Sequence, residues 1–121
     1  MDADVRPPQG SFTGSAGQRP LHESRGHDVR VSFVRFEEGA WTGWHTHAGG
    51  QVLHVVEGRG RVRGESGGEQ AIEQGDTVVT APGERHRHGA ATGAAMTHLA
   101  ITIGEVTWLD EEEGEPDAHS H

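Results

Sequence analysis

Between Val29 and Ile103 apolar residues recur every second position in short bursts, and no helix-length stretch keeps a 3.6-residue spacing. Val29, Val31 and Phe33 alternate with Arg30 and Ser32, which predicts a strand over 29–37 ended by the turn Glu37, Glu38, Gly39. The runs 51–57 and 60–64 predict two strands of a hairpin about Gly58 and Arg59, with Arg59, Arg61 and Arg63 along one solvated side. Ala71 to Glu73 and Thr77 to Thr80 predict short strands around the turn Gln74, Gly75, Asp76, and Gly64 to Gly68 reads as a further hairpin turn. A last strand over 96–103 sets Met96, His98, Ala100 and Thr102 against Thr97, Leu99, Ile101 and Ile103. Many short strands with regular turns predict an all-β barrel or sandwich.

The flanks read differently. Residues 1–22 hold Pro7, Pro8 and Pro20 with little periodicity and are expected to form a loose N-terminal arm; residues 23–109 form the β domain; residues 110–121 form an acidic tail expected to be disordered. A chain of 121 residues has room for one such domain. It has no Cys and no Tyr, and its 10 basic residues are all Arg, so thiolate, lysine Schiff-base and tyrosine chemistry are excluded. Seven of its acidic residues lie between Glu105 and Asp117, so the tail carries most of the formal charge of −9. The nearly neutral body argues against nucleic acid or an anionic membrane as partner. No membrane-length apolar run or signal peptide is visible, which makes a cytoplasmic location the expectation.

Two stretches change this bland picture. His45 and His47 share one face of any strand, and Gln51 follows after Gly49 and Gly50, whose flexibility allows a bend that returns the amide to the same space. His86 and His88 form a second pair behind the turn at Pro82 and Gly83. Convergence of three or four imidazoles and one amide oxygen is metal-site chemistry, and inward imidazoles in a small barrel are costly unless bonded. A hairpin between 86–88 and 96–98 would set His98 opposite His86 and His88 opposite Met96, so His98 also faces the cavity. His54 has the opposite parity to Gln51 and faces away, while His22 and His27 lie in or near the loose arm and His119 and His121 in the acidic tail.

These residues carry a resemblance to the cupin superfamily. Gly39, His45, His47, Gln51 and Gly58 fit its first motif with glutamine in the usual glutamate position, and Gly75 through Pro82, Gly83 and His86 resemble its second with one extra residue before the proline. The strings TGWHTH, GQVLHVVEGRG, PGERHRHGA and AMTHLAI are most similar to small single-domain bacterial manganese cupins with R-selective hydroxynitrile lyase activity. The resemblance implies a jelly-roll-like β-barrel, and one divalent metal ion per chain held by His45, His47, Gln51 and His86. Manganese is favoured, while the N and O donors also suit Fe, Ni, Zn or Cu. Leu99, Ile101 and Ile103 would face outward and want cover, so a homodimer is expected.

A neutral donor set leaves the ion's full charge to stabilise an anion and favours Lewis-acid over redox chemistry. His88 and His98 are then the candidate acid and base. The resemblance implies a small-molecule substrate, a cyanohydrin that gives its hydroxyl proton to one of these histidines, breaks its C–C bond and releases cyanide to be protonated by the other. In the lyase-like relatives a glutamine follows AMTHLAI; this chain carries the shorter Thr102. The competing readings are a metal-dependent oxygenase or decarboxylase acting on a small carbonyl or enolic compound, and a cupin that binds a small ligand without turnover.

Overall fold

The computed structural model describes residues 12–24, 28–65 and 67–109. Strands in chain order are β1 (Phe12–Thr13), β2 (Ala16–Ser24), β3 (Val29–Phe36), β4 (Trp41–Thr42), β5 (His45–His47), β6 (Gln51–Gly64), β7 (Glu69–Glu73), β8 (Thr77–Thr80), β9 (His86–Ala90), β10 (Met96–Ile103) and β11 (Val106–Trp108). No helix occurs among the described residues, and every strand pairing is antiparallel. One sheet runs β2-β3-β10-β6-β8, the other β1-β4-β9-β6-β7 with β5 bridging β9 and β11. Because β6 belongs to both, the two sheets curl into a barrel around one core of Phe36, Leu53, Val55, Val62, Ile72 and Met96.

The hairpin expected at Gly58 and Arg59 does not form, since β6 is one continuous strand of 14 residues. What the turn-like residues mark is a bulge. Glu57 pairs with Thr97 and Val55 with His98, so Val56 has no opposite residue. The extra residue switches parity: Gln51, Leu53 and Val55 are buried before it, Gly60 and Val62 after it. The two halves of the strand therefore each present an inner face, one to each sheet. Arg61 does not lie on a merely solvated side. It stacks 3.7 Å over Trp41, which Arg87 covers at 3.6 Å, and it donates to the carbonyls of Ala90 and Gly39.

β9 and β10 do not form the expected hairpin either. Each takes a different half of β6: β9 pairs with residues 60–64 and β10 with residues 51–58. The intervening loop is tied to β6 at the bulge by bonds from Ala91 N to Arg59 O and from Arg59 N to Ala95 O. His98 is therefore opposite Val55 and Val34, and His86 is opposite Gly64 and His45. Residues 12–24, read from sequence within or beside a loose arm, supply β1 and β2, the latter paired along the length of β3. Their alternation was masked by Gly17, Pro20 and a register shift between Pro20 and His22. The expectations for residues 1–11, His27 and the acidic tail fall outside the described residues.

The inner face of β3 is Ser32, Val34 and Phe36, whereas Val31 and Phe33 are only partly covered. Register then creates one polar row across the sheet: Arg30 opposite Thr102, Thr102 opposite Gln51, and Gln51 opposite Thr80. This row borders the site described next.

Candidate metal centre

His45 and His47 enter the interior from β5, Gln51 from the start of β6, His86 and His88 from β9 and His98 from β10, and all six are buried. Gly50 makes the return from β5 to β6 possible. Its φ is +93°, and a Cβ there would come within 2.8 Å of the Thr80 carbonyl, so only glycine fits. The resulting cavity of about 410 Å³ is lined by His45, His47, Gln51, His88 and His98. Its remaining walls include Phe12, Phe36, Val106 and Trp108 on the apolar side and Gln18, Arg30, Ser32 and Thr102 on the polar side.

Hydrogen bonds fix which atom each ring presents. His45 Nδ1 lies 2.9 Å from the Gly43 carbonyl, which can only accept, so Nδ1 carries the proton and Nε2 keeps its lone pair. His86 Nδ1 meets Thr80 Oγ1 at 3.1 Å, and its Nε2 is buried without a partner. Gln51 Nε2 donates to Thr102 Oγ1 at 2.9 Å, which leaves Oε1 buried and unsatisfied. Both ring nitrogens of His47 are likewise buried with no partner. Buried polar atoms without partners are expensive, and the acceptor lone pairs among them are what a cation would satisfy.

His45, His86 and His88 each offer a nitrogen, and those atoms lie within 4.8 Å of one another. These three buried histidines could hold a metal ion. His88 was expected as acid or base, yet the structure brings it into this group. His47 stands outside that three-atom group, but its ring centroid is 4.8 Å from His45 and 5.3 Å from His86. His98 does not face His86 as the expected hairpin required; its Nε2 meets His88 Nδ1 at 3.2 Å. His54 points away and meets Thr77 Oγ1 at 2.8 Å.

Burial is the first cause of every pKa shift in the site. It pushes His45 down to about 3, opposed by the Gly43 bond and aided by the charges of His47 and Arg87. It pushes His47 down to about 4 with help from the Arg30 charge, and His86 to about 2 with help from His45, His47 and His98. His98 falls to about 4, and His88 lies well below its ordinary value. At neutral pH the cluster is therefore a set of neutral bases, the protonation state that metal binding needs.

Several contributors were not legible in the sequence. Trp108, opposite His45 on β11, packs its ring 4.5 Å from that imidazole; Phe12 stacks on both Phe36 and Trp108 at 5.8 Å. The alternation of Val106, Thr107 and Trp108 is too short to signal a strand by itself. Thr80 and Arg30 could have been placed by extending the parity of Gln51 and Ser32.

A barrel with buried, neutral imidazoles at its centre belongs to the β-barrels whose interior could hold a metal ion. Within it, the cupin domain matches residues 32–102, and the chain belongs to the cupin family. Over 100 residues it is 45% identical to an (R)-mandelonitrile lyase from Granulicella tundricola, covering 82% of this chain and 76% of that one. Among solved structures it is similar to a cupin-like protein from Thermotoga maritima, with 33% identity, a TM-score of 0.79 and 92% of both chains covered. An acetylacetone dioxygenase from Acinetobacter johnsonii shares the fold at 17% identity, with a TM-score of 0.77 over 93% of this chain and 76% of that one.

Two outcomes follow from the bonding. Thr102→Val removes the acceptor that orients the Gln51 amide, so divalent-ion affinity should fall roughly 10- to 100-fold, read by competition with a chelating dye; unchanged affinity would show that the bond does not position Oε1. Metal-free protein should hold its full stability above pH about 6.5 and lose it as pH falls toward 4. In that window the unfolded chain takes up protons that His47 and His98 refuse in the folded state. Urea midpoints that stay flat between pH 7 and 5 would contradict this.

Proposed function

We propose that this chain is a metal-dependent lyase that cleaves or forms a C–C bond beside a hydroxyl, with cyanohydrins as the substrate class. The observation that carries it is the pairing of a carboxylate-free donor set with the buried His88–His98 couple. The 45% identity to an (R)-mandelonitrile lyase supports the same reading. His45, His47, Gln51 and His86 are the proposed donors, with His88 close enough to join them. Manganese is the proposed ion.

A divalent ion in this neutral shell supplies a Lewis acid that stabilises negative charge on a substrate oxygen. The protein residues do the rest. Neutral His98, or His88 linked to it at 3.2 Å, takes the hydroxyl proton. The electrons of the O–H bond form the carbonyl, and those of the C–C bond leave with cyanide. The imidazolium then returns the proton to the cyanide carbon, so carbonyl compound and HCN are formed in balance. Burial makes that imidazolium a strong acid for its type, which favours the second transfer. Trp108, Phe12 and Phe36 exclude water and offer an apolar wall to the body of the substrate.

We also propose a homodimer formed through the outer face of the β3-β10-β6-β8 side. Ile101 lies opposite Val31 and Val52, Val52 opposite Val79, and Leu99 opposite Phe33, which makes one contiguous apolar face. Val79 at its edge is 72% exposed. Sedimentation should give a dimer for the wild type and a monomer for Ile101→Arg, whose side chain lies on the side of β10 away from His98. A monomeric wild type at micromolar concentration would refute this interface.

The catalytic reading is tested with mandelonitrile and manganese-loaded protein. His98→Ala should keep its metal while turnover falls on the order of a hundredfold, the usual loss for an acid–base group. Turnover per folded molecule that survives the substitution would reduce His98 to a packing role. Metal lost in step with activity would instead place it in holding the ion. Oxygen consumption in place of cyanide release would mark an oxygenase.

A further inference from the structure

Among the described residues Arg30 is the one arginine lining the cavity, and no acidic side chain lines it. Its Nη2 donates to the Gly104 carbonyl at 2.9 Å, which holds the guanidinium in place, while its Nε is buried without a partner. A fixed cation with an unused buried donor is costly, and a carboxylate, whose two oxygens match the guanidinium fork, is the group that satisfies it best.

The place of Arg30 in the sheet gives the second part of the argument. Arg30, Thr102 and Gln51 are successive cross-strand neighbours on the inner face, so Arg30 and Gln51 stand two strand spacings apart, about 10 Å between backbones. Thr102, between them, is short and spends its hydroxyl on Gln51. The space above it is left to whatever lies between the guanidinium and the histidine cluster. Trp108 and Phe12 supply apolar surface to the same cavity.

We infer that the cavity takes a small carboxylic acid, its carboxylate held by Arg30 and its hydroxyl- or carbonyl-bearing carbon toward the histidine cluster. This rests on the proposed lyase reading only for the role of the reacting end; the recognition of the carboxylate by Arg30 does not need a metal. The acids that fit are 2-substituted ones of a few carbons or one aryl ring, which would occupy the cavity as ligands distinct from the proposed cyanohydrin substrates and more tightly than their neutral amides.

The test uses pairs that differ in charge and not in shape, mandelate with mandelamide and lactate with lactamide, titrated by calorimetry into metal-free and manganese-loaded protein. The wild type should prefer each acid over its amide by about tenfold or more in both states, and Arg30→Gln should lose the preference while its metal affinity is unchanged. In the wild type, mandelate and not mandelamide should protect Arg30 from phenylglyoxal, a measurement independent of how the variant folds. Equal affinity for acid and amide overturns the inference. A preference that survives in Arg30→Gln, or Arg30 labelling that mandelate does not slow, overturns it as well by placing the acid on the metal alone. Failure to bind metal or cleave mandelonitrile would instead strike the lyase reading, with the Arg30-dependent preference of the metal-free protein intact.

Discussion

Burial of basic nitrogen without its proton is the constraint on which the rest of this barrel depends. Five imidazoles from three strands are buried in one interior, and a charge on any one is opposed first by burial and, for His45, His86 and His88, also by neighbouring imidazoles. Neutral rings can pack at centroid distances of 4.5 to 5.3 Å, as His45, His47, His86 and His88 do. The cost appears elsewhere, as lone pairs with no hydrogen to receive. Outer contacts then decide where those lone pairs point: Gly43 turns His45, Thr80 turns His86 and Thr102 turns Gln51. A barrel built this way could receive a cation on geometry already present in the chain.

The parts of this arrangement that obey period 2 were legible in the sequence. His45 with His47, His86 with His88, and the inward row of Met96, His98, Ala100 and Thr102 all follow from alternation within one strand. The parts that depend on a break in alternation were not. At Val56 one unpaired residue reverses the parity of β6, and the sequence signal of that bulge, Gly58 next to Arg59, is the same as that of a hairpin turn. The error then spread. With β6 read as two strands, β9 and β10 had no long strand to share, and pairing them with each other was the simplest alternative. His88 and His98 nonetheless meet, across the interior through β6 instead of side by side.

The residues missed at the site share a different cause. Phe12, Arg30 and Trp108 sit on strands whose local pattern is weak or whose polar character suggests solvent, and only the barrel's closure turns them inward. β1 has two residues and β11 has three, too few for periodicity to act on. Arg30 is the more instructive case. In sequence, Val29, Val31 and Phe33 look like the core side of β3; in the fold they face out, where Leu99 and Ile101 continue the apolar surface, and the polar side faces the cavity. An amphipathic strand tells that its two faces differ, and it does not tell which one a functional interior will choose.

That choice links the two ends of the cavity. Thr102 lies between Arg30 and Gln51 and touches the chemistry of both, since its hydroxyl orients a proposed ligand and its small size leaves room beside the guanidinium. A longer amide at this position could still satisfy Gln51 but would extend across the space that Arg30 faces. The charge of the cavity follows from the whole row: neutral imidazole and amide groups, the half-buried Arg30 and, among the described residues, no lining carboxylate make an interior suited to an anion.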